Sequence, residues 1–133
     1  MVGGLIVTHG NLAYELLKAA QKIEASVSGI EAVPLEWTDS VDEAREKIGK
    51  ALERLGPDRG VIIFTDMFGG TPSNLAISCM SNPKVEVLAG INLPMLIKLA
   101  KVRMCAGLTD AVAKAQEAGR KYVTIASQVL AGK

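Results

Sequence analysis

The only histidine of the chain, His9, is the residue best suited to chemistry. It follows the apolar run 3–7 and precedes Gly10, so we expect it in a loop at the carboxyl end of a buried strand. A neutral imidazole can act as a nucleophile, and strand-end loops often present reactive side chains. A lone histidine in such a loop can equally be an ordinary loop or capping residue, and its position alone leaves both interpretations open.

A carboxylate, Asp66, follows the strongest strand signal of the sequence, the apolar and β-branched segment 61–65. If the two strands lie side by side in a parallel sheet, Asp66 and His9 reach the same crevice. A carboxylate that accepts a hydrogen bond from Nδ1–H fixes the tautomer in which Nε2 keeps a free lone pair, as a histidine nucleophile requires. The alternative is that Asp66 only starts the turn before Gly69 and Gly70.

The stretch Gly69, Gly70 and Thr71 precedes a predicted helix and forms a candidate phosphate seat. Glycines leave backbone N–H groups unobstructed, and a hydroxyl and the positive end of a helix dipole add to the attraction for an anion. The same residues also suit a plain turn in which Thr71 is the N-cap and Pro72 the first helical residue. Spacing does not decide between the two.

Two large apolar residues, Met67 and Phe68, occupy the same loop. They can fill a gap in the core, or they can form an exposed patch on which a partner protein docks. The sequence leaves both possibilities open.

Other chemistries find little support in the sequence. Neither of the glycine-rich nucleotide motifs, G-x-G-x-x-G and G-x-x-x-x-G-K-[ST], is present. One histidine and two distant cysteines lack the paired spacing of a zinc site, so we expect Cys79 and Cys105 to be packed, reduced thiols. We therefore expect no metal and no cofactor.

Length and charge limit the remaining classes of protein. The 133 residues suit a single domain over 1–133. The formal net charge is +1, and the sequence has no run of five like charges that would indicate nucleic-acid binding. The sequence begins directly with an apolar strand, without a leader, and no apolar stretch reaches the roughly 18 residues of a membrane span. We expect a cytoplasmic protein that does not insert into membranes.

The apolar periodicity predicts alternating strands and helices. We expect strands at residues 3–7, 30–37, 61–65, 85–88 and 122–125. We expect helices from Asn11, after a capping box at Ser40 and Glu43, from Pro72, from Pro94, and after an N-cap at Thr109. This alternation is typical of an open α/β domain with a mainly parallel sheet and helices on both faces. A strand order of 2-1-3-4 brings His9 and Asp66 together.

Three segments together resemble the IIA component of the mannose family (mannose, fructose and sorbose) of the bacterial phosphoenolpyruvate-dependent sugar phosphotransferase system. They are LIVTHG at 5–10, FTDMFGGTPSN at 64–74 and AGINLPM at 89–95. The resemblance covers essentially the whole chain, and the three segments in order are much more specific than any one of them.

The resemblance implies a phosphotransferase that acts through a phosphohistidine. His9 would accept phosphate on Nε2 from the phosphohistidine of the carrier HPr and pass it to a histidine of a IIB component during sugar uptake. Asp66 matches the aspartate that orients the histidine. Thr71 matches a small hydroxyl residue beside the phosphate, and Gly69 and Gly70 allow close backbone approach.

The resemblance also implies a homodimer that exchanges a C-terminal antiparallel strand, for which residues 122–125 are the candidate. The sequence stops at Lys133, so we expect the IIB component to be a separate protein. Two alternatives share the same histidine chemistry: a regulatory IIA-like phosphoprotein without a transport role, and the phosphotransfer subunit of dihydroxyacetone kinase. A third is an α/β binding module without phosphate chemistry.

Overall fold

The computed structural model describes residues 1–132, and its strands and helices alternate as predicted up to residue 102, after which only helices follow. The strands are β1 (Gly3–His9), β2 (Ile30–Leu35), β3 (Val61–Thr65) and β4 (Val85–Ala89). The helices are α1 (Leu12–Ile23), α2 (Val41–Leu55), α3 (Thr71–Ser78), α4 (Leu93–Val102), α5 (Leu108–Lys121) and α6 (Ala126–Leu130). No helix within residues 1–132 is long and apolar enough to cross a membrane.

The four strands form one parallel sheet in the order β2-β1-β3-β4, which confirms the predicted order. β1 is hydrogen-bonded to both β2 and β3, with His9 opposite Leu35 and Val7 opposite Thr65. Because all the strands run in one direction, the loops that follow them open at the same edge. The loop after β1 therefore lies between the loops after β2 and β3.

Apolar residues on successive positions of the strands cover both faces of the sheet. Ile6 and Phe64 point to the face covered by α1, α4 and α5, whereas Leu5, Val7 and Ile63 point to the face covered by α2 and α3. All five side chains are fully buried, and burial of each stabilises the fold by about 1.5–3 kcal/mol. The prediction of helices on both faces is confirmed.

Two predicted N-caps are wrong. The N-cap of α3 is Gly70 and not Thr71, because Gly70 has a φ of 93° and the helix geometry begins one residue early. Pro72 then occupies the second helical position, where its missing N–H has no intrahelical partner in any case. The N-cap of α5 is Gly107 and not Thr109, since Leu108 already packs against the core and belongs to the helix.

The capping box predicted for α2 is confirmed. The Glu43 backbone N–H donates to Ser40 Oγ at 3.1 Å, and the Ser40 backbone N–H donates to Glu43 Oε1 at 3.2 Å. This reciprocal pair fixes the point at which the loop after β2 enters the helix. β2 itself ends at Leu35, two residues earlier than predicted, so that Trp37 belongs to this loop.

Residues 122–125, predicted as a last strand, pair with no strand in the part of the chain that the structure describes. The segment is exposed at Tyr122, Val123 and Ile125 and leads into α6. A strand exchanged between two copies would find its partner only in the other copy. The exchanged strand and the dimer therefore stay predictions.

Candidate functional site

The structure brings His9 and Asp66 together at the carboxyl edge of the sheet. His9 is the last residue of β1, and Asp66 directly follows β3, which is its neighbour in the sheet. His9 Nδ1 lies 2.7 Å from Asp66 Oδ2, and the same oxygen accepts the His9 backbone N–H at 2.9 Å. The imidazole is 29% exposed and the carboxylate 13%. The histidine is therefore accessible from solvent while the carboxylate that holds it is largely covered.

The charge of Asp66 is maintained by these contacts. Burial alone would raise the pKa of Asp66, but hydrogen bonds from the His9 backbone and imidazole, with the Met67 backbone N–H on Oδ1, outweigh burial and lower the pKa. A charged carboxylate accepts from Nδ1–H, which leaves the lone pair on Nε2. The turn interpretation of Asp66 is also partly right, because its Oδ1 accepts from the next residue in the loop.

Gly70 lies directly beside the free edge of the imidazole. A methyl group in place of its hydrogen would lie 3.4 Å from His9 Cε1 and 3.5 Å from His9 Nε2. Gly69 precedes it with a φ of 87° and has open space where a side chain would project. Both glycines therefore have left-handed backbone conformations, and only Gly70 also keeps the space next to Nε2 open.

Thr71 is the first residue of α3 and is exposed. None of the side chains in residues 1–132 caps the N-terminus of this helix. Gly69, Gly70 and Thr71 thus form a glycine-lined helix start next to the imidazole, with the positive end of the helix dipole available to an anion. The structure brings His9, Asp66 and Gly70 together, and Gly69 and Thr71 are the chain neighbours of Gly70.

Met67 and Phe68 lie on the surface of the loop after β3, where their side chains are 57% and 77% exposed. The interpretation as core-filling residues is therefore wrong. The two residues form an exposed apolar patch beside Asp66. Their use in docking a partner stays a prediction.

Two residues that contribute to the site were missed in the sequence. Thr8 is buried in β1, and its Oγ1 accepts the Ala13 backbone N–H at 2.7 Å, which caps the N-terminus of α1. Trp37 stacks on His9, with 5.4 Å between ring centroids and 25° between ring planes. The signal for Trp37 was topological: β2 neighbours β1, so the loop after β2 must open beside His9.

Cysteines and carboxylates add no further site. Cys79 is half-buried as expected, but Cys105 is exposed, so the prediction of two packed thiols is wrong for Cys105. Cys105 lies in the turn between α4 and α5. Among residues 1–132, no three His, Cys, Asp or Glu side chains are grouped as a metal ion would require.

Fold and site together define an α/β protein with an aspartate-oriented histidine at the carboxyl edge of a parallel sheet. The family model described as "PTS system fructose IIA component" (EIIA-man) matches residues 3–116, and the chain belongs to this family. The resemblance noted in the sequence is thereby confirmed.

Individual relatives agree with this membership. The chain is 29% identical over 111 residues to the PTS system fructose-specific EIIA component of Bacillus subtilis (strain 168), covering 83% of this chain and 76% of that protein. It is 34% identical over 124 residues to the PTS system mannose-specific EIIAB component of Escherichia coli (strain K12), covering 90% of this chain and 38% of that protein. The mannose/sorbose specific IIA subunit from Enterococcus faecalis superposes with a TM-score of 0.84 at 27% identity, over 92% of each chain.

Proposed function

We propose that this protein is a phosphoryl carrier in which His9 accepts phosphate from phospho-HPr and donates it to a histidine of a IIB component during sugar uptake. The observation that carries the proposal is the 2.7 Å contact between His9 Nδ1 and Asp66 Oδ2, which leaves Nε2 facing the glycine-lined edge. His9 and Asp66 are the catalytic pair in this proposal. No metal or cofactor enters the reaction.

The transfer exchanges one P–N bond for another. The lone pair of His9 Nε2 attacks phosphorus, the P–N bond on HPr breaks, and its electron pair returns to the ring nitrogen of the HPr histidine. The proton on Nδ1 stays hydrogen-bonded to Asp66, whose negative charge balances the positive charge that the ring acquires. Transfer to the IIB component repeats the step with His9 as the leaving group.

The phosphoryl oxygens need stabilisation more than covalent assistance, because charge is spread over them in the transition state. The backbone N–H groups around Gly69 and Gly70, the hydroxyl of Thr71 and the dipole of α3 are the groups that we assign to this task. Their support is the position of Gly70 beside Nε2 and the absence of a side-chain cap on α3 within the described chain.

HPr and the IIB component would dock in turn on the surface that carries Met67 and Phe68. Exposed apolar side chains next to a reactive group suit short-lived contacts with two partners. The net charge of +1 supplies little long-range attraction, so we expect docking to depend on local contacts and only weakly on salt.

The wider setting of the proposal is a cytoplasmic homodimer in which residues 1–133 form one phosphotransfer domain. β4 is an edge strand, and the exposed apolar side chains of Tyr122, Val123 and Ile125 lie in an unpaired segment of the described chain. Pairing of this segment with β4 of another copy would cover the open edge of the sheet and these apolar side chains.

The test is phosphorylation by purified components. The protein is incubated with phosphoenolpyruvate, enzyme I and HPr, and acid-labile, base-stable phosphate is measured on the wild type and on His9→Ala. We expect label on the wild type and none on the variant, whose unchanged circular dichroism would show that it is folded. An unlabelled wild type in the presence of charged HPr would contradict the proposal.

A second measurement distinguishes the acceptors. Discharge of the labelled protein by a IIB component, without discharge by a nucleotide-loaded kinase subunit, would favour sugar transport.

A further inference from the structure

We propose that Trp37 is a positioning residue for His9, and that its indole fixes the imidazole orientation needed for phosphoryl transfer. This inference rests on the proposed function and concerns a residue outside the three segments that carry the family resemblance. Trp37 is the only tryptophan of the chain, and it stacks on the only histidine.

The imidazole is held from three directions. Asp66 contacts the Nδ1 edge at 2.7 Å, Gly70 lies beside the Cε1–Nε2 edge, and Trp37 covers one face of the ring. The torsion that turns a histidine ring has broad minima, so the ring orientation depends on its contacts, and the hydrogen bond to Asp66 fixes only the Nδ1 edge. An aromatic ring stacked on the face opposes that rotation, and Nε2 stays directed at the incoming phosphorus.

Trp37 has a place prepared for it beside the loop after β1. A methyl group on Gly10 would lie 3.4 Å from Trp37 Nε1, so the absence of a side chain there leaves room for the indole. The Gly10 backbone N–H donates to the Leu35 carbonyl at 2.8 Å, which ties the loop after β1 to the end of β2. The indole thus stacks on His9 and lies next to Gly10, the residue that follows it.

The loop that carries Trp37 is fixed by Asp39, whose side chain is 9% exposed. Asp39 Oδ2 accepts the Glu36 backbone N–H at 3.0 Å and Lys47 Nζ at 2.7 Å, and the Asp39 backbone N–H donates to the Glu36 carbonyl. These bonds close a turn around Trp37 and attach it to α2. Trp37 therefore belongs to an ordered turn, although the residue is 80% exposed.

A positioning role predicts a specific kinetic change. Loss of the stack lowers the maximal rate constant of transfer but leaves the concentration of phospho-HPr needed for half-maximal rate unchanged. We expect a decrease of about threefold to tenfold, the range that an aromatic pair of this kind supplies. Because the side chain is largely exposed and outside the core, its replacement leaves the fold intact.

The experiment is rapid-quench transfer from phospho-HPr to the full chain, with HPr concentration varied. Trp37→Leu is expected to lose rate constant at unchanged half-saturation, and Trp37→Phe, which keeps a stacking ring, is expected to recover most of it. Phe68→Leu is the matched comparison, because an aromatic residue of the docking patch should raise the half-saturating concentration. In NMR spectra, the His9 ring protons should carry an indole ring-current shift that Trp37→Leu abolishes.

Three results would overturn the inference. A rise in half-saturation alone in Trp37→Leu would make Trp37 a docking contact, and unchanged kinetics would remove any role in transfer. The absence of a ring-current shift in the wild type would show that the stack does not form. If wild-type protein is never labelled, the proposed function fails and the kinetic role of Trp37 fails with it, while the NMR shift still reports separately whether the two rings stack.

Discussion

The two strand-to-helix loops that build the site treat their helix starts in opposite ways. After β1, the buried hydroxyl of Thr8 accepts the Ala13 backbone N–H, so a side chain of the protein caps α1. After β3, the helix start of α3 is preceded by Gly69 and Gly70 and has no side-chain cap within the described chain. The first loop supplies the histidine, and the second supplies the carboxylate and the uncapped helix.

The capped start of α1 adds stability at this edge of the sheet, whereas the uncapped start of α3 leaves N–H groups open to an anion. A capped N-terminus stabilises a helix by about 0.5–2 kcal/mol, and in α1 the hydroxyl of Thr8 supplies this contribution. α3 lacks it, and its N–H groups remain available to an anion, which in the proposed function is the phosphoryl group.

The contact that joins the two loops should produce the largest effect. Asp66→Asn keeps the shape of the side chain but removes the charge that orients the imidazole, and we expect the rate of labelling to fall by about 10²-fold. Rapid-quench transfer from phospho-HPr measures this. Asp58→Asn, an exposed carboxylate before β3 at the opposite edge of the sheet, is the control. Equal transfer rates in the two variants would show that Asp66 has no role in the reaction.

The uncapped side of the comparison can be tested at Gly70. Gly70→Ala introduces a methyl group 3.4–3.5 Å from the His9 ring at a φ of 93°, and we expect labelling to slow by about tenfold as the phosphoryl group is displaced. Gly56→Ala is the matched control, because Gly56 has a φ of 70° but open space around it. Both variants should lose about 1 kcal/mol or more of stability from backbone strain. Slow labelling in both would assign the effect to strain rather than to the position beside Nε2.

Removing the hydroxyl of Thr8 should lower stability, whereas removing that of Thr71 should slow labelling. Thr8→Val leaves the Ala13 N–H without its acceptor in a buried site and should cost about 1–2 kcal/mol of unfolding free energy, measured in urea. Thr71→Val, at an exposed position, should change stability by less than about 0.5 kcal/mol and slow the labelling several-fold. If Thr71→Val destabilises the protein as much as Thr8→Val does, the proposed contrast between the helix starts is wrong.

The smallest expected effect is the pH dependence of the stability that the charge of Asp66 contributes. The pKa of Asp66 is lowered in the folded protein, so its charge contributes stability above the ordinary value of 3.8, and this contribution is lost as the pH falls through the lower, folded value. The difference in unfolding free energy between wild type and Asp66→Asn should therefore be largest near neutral pH and shrink below pH 3.8. Urea titrations from pH 3 to pH 7 measure it. A difference that is constant with pH would contradict the role assigned to the charge.

Much of the fold could be predicted because its strands and helix starts depend on residues that are close together in the sequence. The apolar runs of the four strands and the Ser40–Glu43 capping box depend on neighbouring residues alone. The order 2-1-3-4 was expected because it brings the loops that carry His9 and Asp66 to one crevice, and the sheet has this order. His9 and Asp66 could be paired because both end strands that this order makes neighbours. The glycines beside the imidazole followed from their position before a helix.

What could not be predicted depends on conformation or on distant contacts. The N-cap of α3 is Gly70 and not Thr71, because the positive φ of Gly70 places the turn one residue earlier than the favoured capping residue suggested. Trp37 lies 28 positions from His9 in the sequence, and no periodicity connects the two. The segment 122–125 has a strand-like composition, but composition does not say which chain supplies the partner strand.

The sequence separation within the reactive pair also has a consequence for synthesis and folding. His9 and Asp66 are 57 residues apart, and their contact requires β1 to pair with β3 across that distance. At a translation rate of about 5–20 residues per second, roughly 3–11 s pass between synthesis of the histidine and synthesis of its partner. Long-range parallel pairing is slow to form. A nascent or incompletely folded chain thus carries the histidine without the group that orients it, and only the folded sheet has the pair on which the proposed transfer depends.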